Sequence, residues 1–133
     1  TYLADAFPAA GLMPANRAAF YRWMFFGAGP VEAAVTNKAL GVQVPPERRG
    51  MVGYGSLEAV TDTLAAQLEK TPCLCGDTFS AADVYVGSQI GFGVRFNTIE
   101  SRPVFTEYWA RLSARPAYLR SVALNDALLK KAQ

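Results

Sequence analysis

The hexapeptide Phe79-Ser80-Ala81-Ala82-Asp83-Val84 is the feature that most narrows what this chain can fold into. A serine followed three residues later by an acid, with apolar residues on either side of the pair, is the signature of a helix start. Ser80 as N-cap accepts from the Asp83 amide, Asp83 reaches back to the Ser80 amide, and Phe79 staples to Val84. Both side chains are therefore read as structural. Beyond this start, Val86, Ile90 and Val94 recur at helical spacing, while Gly87 and Gly91 leave room for a second helix to approach the backbone. A helix built to be approached that closely belongs in the middle of a bundle, so it is expected to be central and buried.

The other segments agree with an all-α architecture. Pro8 to Pro14 reads as a loop that leads to Asn16, an N-cap for a long first helix. Phe20, Trp23, Met24, Gly27 and Val31 share one face of it, while Tyr21, Phe25 and Phe26 make the other sides apolar too. Pro30 cannot donate to the carbonyl of Phe26, and Gly27 and Gly29 soften the backbone beside it, so a kink is expected over 26–30 with the helix running on to about Asn37. Pro46 and Glu47 can open a second helix that carries Leu57, Val60, Thr61, Leu64 and Leu68 on one face. Its second half is the firmer, because Gly50, Gly53 and Gly55 each cost roughly 1 kcal/mol in a helix interior. Pro103 suits the first turn of a helix with Phe105, Tyr108, Trp109 and Leu112 on one face, ended by Arg115-Pro116. A short helix with Tyr118, Leu119 and Val122 follows, then a turn or two over 125–133 through Leu128 and Leu129.

Composition excludes several classes of function. With 133 residues and 51% hydrophobic content, residues 1–133 make one domain with a substantial core. The net charge of +2 comes from scattered Lys and Arg, so neither nucleic acid nor an acidic membrane surface is an expected partner. No apolar run approaches the ~20 residues that a membrane span needs. There is no histidine, which removes the commonest general base and metal ligand, and no metal site is expected. Cys73 and Cys75, one residue apart, suit no structural disulfide and fit a reducing, cytoplasmic setting. The opening residues show no basic n-region or apolar signal core and read as the start of a piece of a longer protein.

Taken together, several stretches resemble the C-terminal helical domain of the glutathione transferases. Tyr2-Leu-Ala-Asp-Ala-Phe-Pro8 is similar to the family's interdomain linker, and Trp23-Met-Phe-Phe26 to the aromatic stretch of its first helix. Cys73-Leu-Cys-Gly-Asp77 followed by Phe79-Ser80-Ala-Ala-Asp83 resembles its Gly-Asp and capping-box signature. The likeness covers essentially the whole chain and leans toward bacterial beta-class members. Those carry a histidine on the first helix, where Pro30-Val31-Glu32 stands here, so beta-class chemistry is not implied at that position.

The resemblance implies a bundle with a kinked first helix and a buried central one, lacking the thioredoxin-like domain that precedes it in the family. Glutathione would be a co-substrate bound mainly by that missing domain, and no catalytic residue is expected in this chain. It would line the pocket for a hydrophobic electrophile with Phe20, Trp23, Met24 and Gly27 from the first helix and Phe92 and Phe96 from the end of the central one. It would also form part of a homodimer interface in a detoxifying enzyme. The isolated chain would be inactive. Trp23 and Phe26 are expected against the missing domain or a second subunit, although core packing is the commoner fate of any one of these aromatics. Arg17 and Arg22 are read as solvated helix charges before a carboxylate site, and Cys73 and Cys75 as loop residues before reactive thiols. The alternative function is a non-enzymatic scaffold or interaction module of the same fold.

Overall fold

The computed structural model describes residues 1–131, and among these there are seven α-helices and no strand. A short helix α1 (Tyr2–Ala6) and a 3₁₀ turn (Pro8–Ala10) lead to α2 (Arg17–Phe26), which Asn16 caps by accepting from the Ala19 amide at 3.1 Å. Residues Gly27–Val31 form a π-helical turn around Pro30, and α3 (Glu32–Ala39) continues the rod. The expected kink is thus a widened turn: proline has no N–H for the i→i−4 ladder, and a π turn absorbs the gap without ending the helix.

Helix α4 spans Leu57–Leu68 and packs into the same core through Val60, Leu64 and Leu68. It does not begin at Pro46. Residues Pro46–Met51 make a separate 3₁₀ turn, Gly55 turns at φ +71°, and Ser56 caps the helix by accepting from the Ala59 amide at 3.1 Å. The glycines that would have weakened one long helix divide it in two.

Helix α5 (Ala81–Arg95) lies at the centre, and its start accounts for every backbone donor left without an intrahelical partner. The Ala81 amide donates to the Leu12 carbonyl at 2.9 Å, and the Ala82 amide to Ser80 Oγ at 3.3 Å. Those of Asp83 and Val84 donate to the Ser80 carbonyl at 3.1 and 3.2 Å. In return the Ser80 amide donates to Asp83 Oδ2 at 2.9 Å, which closes the capping box. Asp83 itself is 0% exposed and does more than close the box. Its Oδ1 accepts from the Leu74 amide at 2.8 Å and the Tyr108 hydroxyl at 2.7 Å, and its Oδ2 accepts from Ser80 Oγ at 3.0 Å. One carboxylate therefore joins the 73–76 turn, the start of α5 and the middle of α6.

Helix α6 (Pro103–Ser113) crosses α5 where the glycines permit it. A Cβ on Gly87 would collide with Leu112, and one on Gly91 would sit 2.5 Å from the Trp109 ring. The staple differs from expectation. Phe79 packs on the core under the Arg115 guanidinium, 3.6 Å from its ring centroid, whereas Val84 is 52% exposed because it borders an open groove. The chain's end also differs: α7 (Pro116–Lys131) is one continuous helix, because nothing between Val122 and Asn125 breaks the ladder. The tail expected to reach Gln133 passes beyond the described residues.

Removing the Asp83 carboxylate takes the acceptor from four donors, the Leu74 and Ser80 amides and the Ser80 and Tyr108 hydroxyls. Asp83→Ala should cost on the order of 3–5 kcal/mol in urea unfolding, against about 1 kcal/mol for Ser80→Ala, whose backbone carbonyl still accepts. A loss below 1 kcal/mol for Asp83→Ala would show that the carboxylate does not organise the core.

Candidate functional site

The bent rod and the second half of α5 diverge enough to leave a groove of about 390 Å³ between them. Val31, Val35 and Ala39 form one wall, and Phe92, Gly93 and Phe96 the other. The π turn sets the phase of the first wall: Val31, at 0% exposure, plugs the core, which leaves Glu32, Val35 and Thr36 along the opening. The second wall ends on two phenylalanines one helical turn apart, stacked with centroids 6.0 Å apart and planes within 5° of parallel. Both rings are more than half exposed.

Polar groups gather at the π-turn end. The Gln89 side-chain amide donates to the Gly27 carbonyl at 3.2 Å and ties α5 to the widened turn. The Tyr85 hydroxyl donates to Glu32 Oε2 at 3.3 Å, and partial burial together with that carboxylate pushes its pKa up. A phenol whose proton is already given to a carboxylate is a poor stabiliser for a thiolate. The groove therefore offers mainly shape and apolar contact.

The six residues expected at a binding surface separate in space. Phe92 and Phe96 flank the groove. Phe20 and Trp23, at 0% and 1% exposure, are sealed in the core beneath it and present no surface in this chain. Met24 is half-buried against that core. Gly27 meets α5 so closely that a Cβ would lie 2.8 Å from Val86, so its small size serves the crossing of the two helices. On the outer side Phe25, 73% exposed, stands where Trp23 and Phe26 were expected to seek a partner, while Phe26 folds edge-on against Trp23. Arg17 pairs with Asp5 at 2.7 Å on the surface, and Arg22 lies over the Trp23 ring at 4.7 Å.

Sequence reasoning did not find Gln89, Tyr85 or the paired acceptors of Asp83. Only a distance could, since Gln89 meets Gly27 across 62 residues. Ser56 was legible, standing directly before the apolar period of α4.

A second groove, about 580 Å³, runs between α5, α6 and α7 and carries Val84, Trp109 and Tyr118 on its walls. Trp109 and Tyr118 meet edge-to-face at 5.2 Å and fix α7 to α6. Beyond that contact α7 exposes Leu119, Leu124, Leu128 and Leu129, each more than half open to solvent.

Cys73 and Cys75 sit in the turn held by the Cys73 and Gly76 backbone pair, with Gly76 at φ +115°. Both thiols are free, and burial pushes both pKa values up, that of Cys73 to about 11. The nearby Asp83 carboxylate raises them further. Such thiols are mostly protonated at neutral pH, which matches loop residues and not nucleophiles. Alkylation by iodoacetamide at pH 8 should run about a hundredfold slower at Cys73 than for free cysteine. Labelling at the free-cysteine rate would mean that the turn is open in solution.

No family model matches the chain. Among solved structures it is similar to a glutathione transferase from Methylococcus capsulatus str. Bath, with 27% sequence identity and a TM-score of 0.66 over 95% of this chain. The chain spans 64% of the length of that protein. With the all-α bundle, the π turn in the first long helix and the capped central helix, this likeness supports a glutathione-transferase-like helical domain.

Proposed function

We propose that this chain is the C-terminal helical half of a glutathione transferase, one that transfers the sulfur of glutathione to hydrophobic electrophiles. The observation that carries the reading is the likeness to a glutathione transferase over nearly the whole of this chain, which leaves part of that protein without a counterpart here. A thioredoxin-like domain in that remaining part would bind and ionise the thiol. The groove between α3 and α5 would receive the electrophile, resting on Phe92 and Phe96. Such a division suits the chemistry, because an apolar wall with few fixed polar groups accepts many shapes, while the thiolate needs one well-defined site.

The apolar side chains along α7 and the groove beneath them supply the kind of surface that a covalently attached domain covers. Phe25 and Tyr21 on the outer face of α2 are suited to a second subunit, so a homodimer is part of the proposal. Among the described residues no helix is long and apolar enough to cross a membrane, and a cytoplasmic enzyme is the setting we favour.

The parent protein, carrying a thioredoxin-like half, should conjugate 1-chloro-2,4-dinitrobenzene with glutathione, and the isolated chain should run no faster than solution. In the parent, Phe92→Ala and Phe96→Ala should raise KM several-fold with little change in kcat, because the rings contact ground state and transition state alike. Acceleration by the isolated chain would place the thiol site wrongly. An inert parent with an intact thioredoxin-like half would favour a scaffold of the same fold.

A further inference from the structure

The groove beside the bent helix has an uneven donor and acceptor balance. Of the three hydroxyls that line the groove, Ser88 Oγ donates to the Tyr85 carbonyl at 2.7 Å and Thr98 Oγ1 to the Gly93 carbonyl at 3.4 Å, so these two protons are committed within α5 and its end, and Thr36 carries the third. The Gln89 amide nitrogen is engaged by Gly27, while its Oε1 is out of solvent and has no hydrogen-bond partner among the described residues. Glu32 is the single formal charge on the groove wall, and no Lys or Arg of the described residues forms an ion pair with it. Arg95 lies over the outer Phe96 ring, 5.6 Å from its centroid, and does not line the groove.

A molecule that matches this surface is apolar along its length and carries hydrogen-bond donors and positive charge at one end. We infer that the groove prefers amine-bearing apolar molecules, with the ammonium beside Glu32 and the hydrocarbon or aromatic body against Val35, Phe92 and Phe96. Two effects favour that orientation. An ammonium supplies three donors and no acceptor, which suits the exposed Glu32 carboxylate on the groove wall. The carboxylate also stands beside a low-dielectric apolar wall, where a charge pair counts for more than on an open surface. The neutral analogue gains the same apolar contact and lacks the charge pair. The inference rests on the groove's being the electrophile site only in one respect: in the parent enzyme the preference would extend to amine-bearing electrophiles.

Binding needs no glutathione, so the test separates the two readings. Isothermal titration of the protein at pH 7 and low salt compares 4-phenylbutylamine with its neutral analogue 4-phenylbutan-1-ol. The amine is expected to bind about five-fold more tightly, the upper end of what an exposed charge pair contributes. Glu32→Gln, an exposed and near-isosteric change whose fold is checked by circular dichroism, should abolish that advantage and leave the alcohol unchanged. Phe92→Ala should weaken both ligands and keep their ratio. Equal affinities in the wild type, a preference that survives Glu32→Gln, or no binding of either ligand would overturn the inference. A parent enzyme that still conjugates neutral electrophiles would then leave the transferase reading intact.

Discussion

The structure depends on a buried carboxylate with no cation among its direct partners. Asp83 is fully enclosed, and two backbone amides and two hydroxyls point at it. Carrying a charge out of water is costly unless its lone pairs are satisfied, and here the four donors satisfy it. Each donor belongs to a different part of the chain or a different group of the cap. The carboxylate thus converts a local helix start into a tertiary junction between the 73–76 turn, α5 and α6. The Tyr108 hydroxyl, buried and beside that carboxylate, has its pKa pushed up and stays protonated, as a donor to Asp83 must be.

From that junction the rest of the bundle follows by packing. With the start of α5 fixed, Gly87 and Gly91 fall under Leu112 and Trp109, and Gly27 falls against Val86. The helices cross at the closest approach that a missing Cβ allows, and the large side chains Phe20, Trp23, Phe105 and Tyr108 fill the space between them. Full burial of such side chains contributes about 1.5–3 kcal/mol each, so the glycines, which stabilise nothing locally, are offset by what they let the aromatics bury. The groove is the counterpart of this close crossing. Where α5 runs on past Gly91 and α3 continues past the π turn, a groove opens between the two helices and leaves Phe92 and Phe96 uncovered.

Most of the scaffold was legible from residue order. The Asn16 and Ser80 caps, the interruption at Pro30, the approach allowed by Gly87 and Gly91, and the Pro103 start all rest on local rules, and the structure contains each of them. The failures are equally local in form. Residue order alone starts the second helix at Pro46 and makes three glycines a weakness within one element, whereas Gly55 at positive φ and Ser56 as cap end one segment and open another. The expected division of the last helix has no breaker behind it, and α7 runs unbroken over Pro116–Lys131.

The candidate site was only half legible. Periodicity places Phe20, Trp23, Met24 and Gly27 on one face of a helix and Phe92 with Phe96 on another, but it does not say which face meets the core. Burial settles that: the first set turns inward, and the second stays open. By itself the sequence determined the elements, their caps and the bend, because those depend on atoms a few residues apart. The tertiary structure decided that Asp83 joins three segments, that Gln89 reaches the widened turn and that Glu32, with the Tyr85 hydroxyl on its Oε2, stands beside an apolar groove. Each of those depends on distances between residues far apart in the chain, which exist only once the helices have packed.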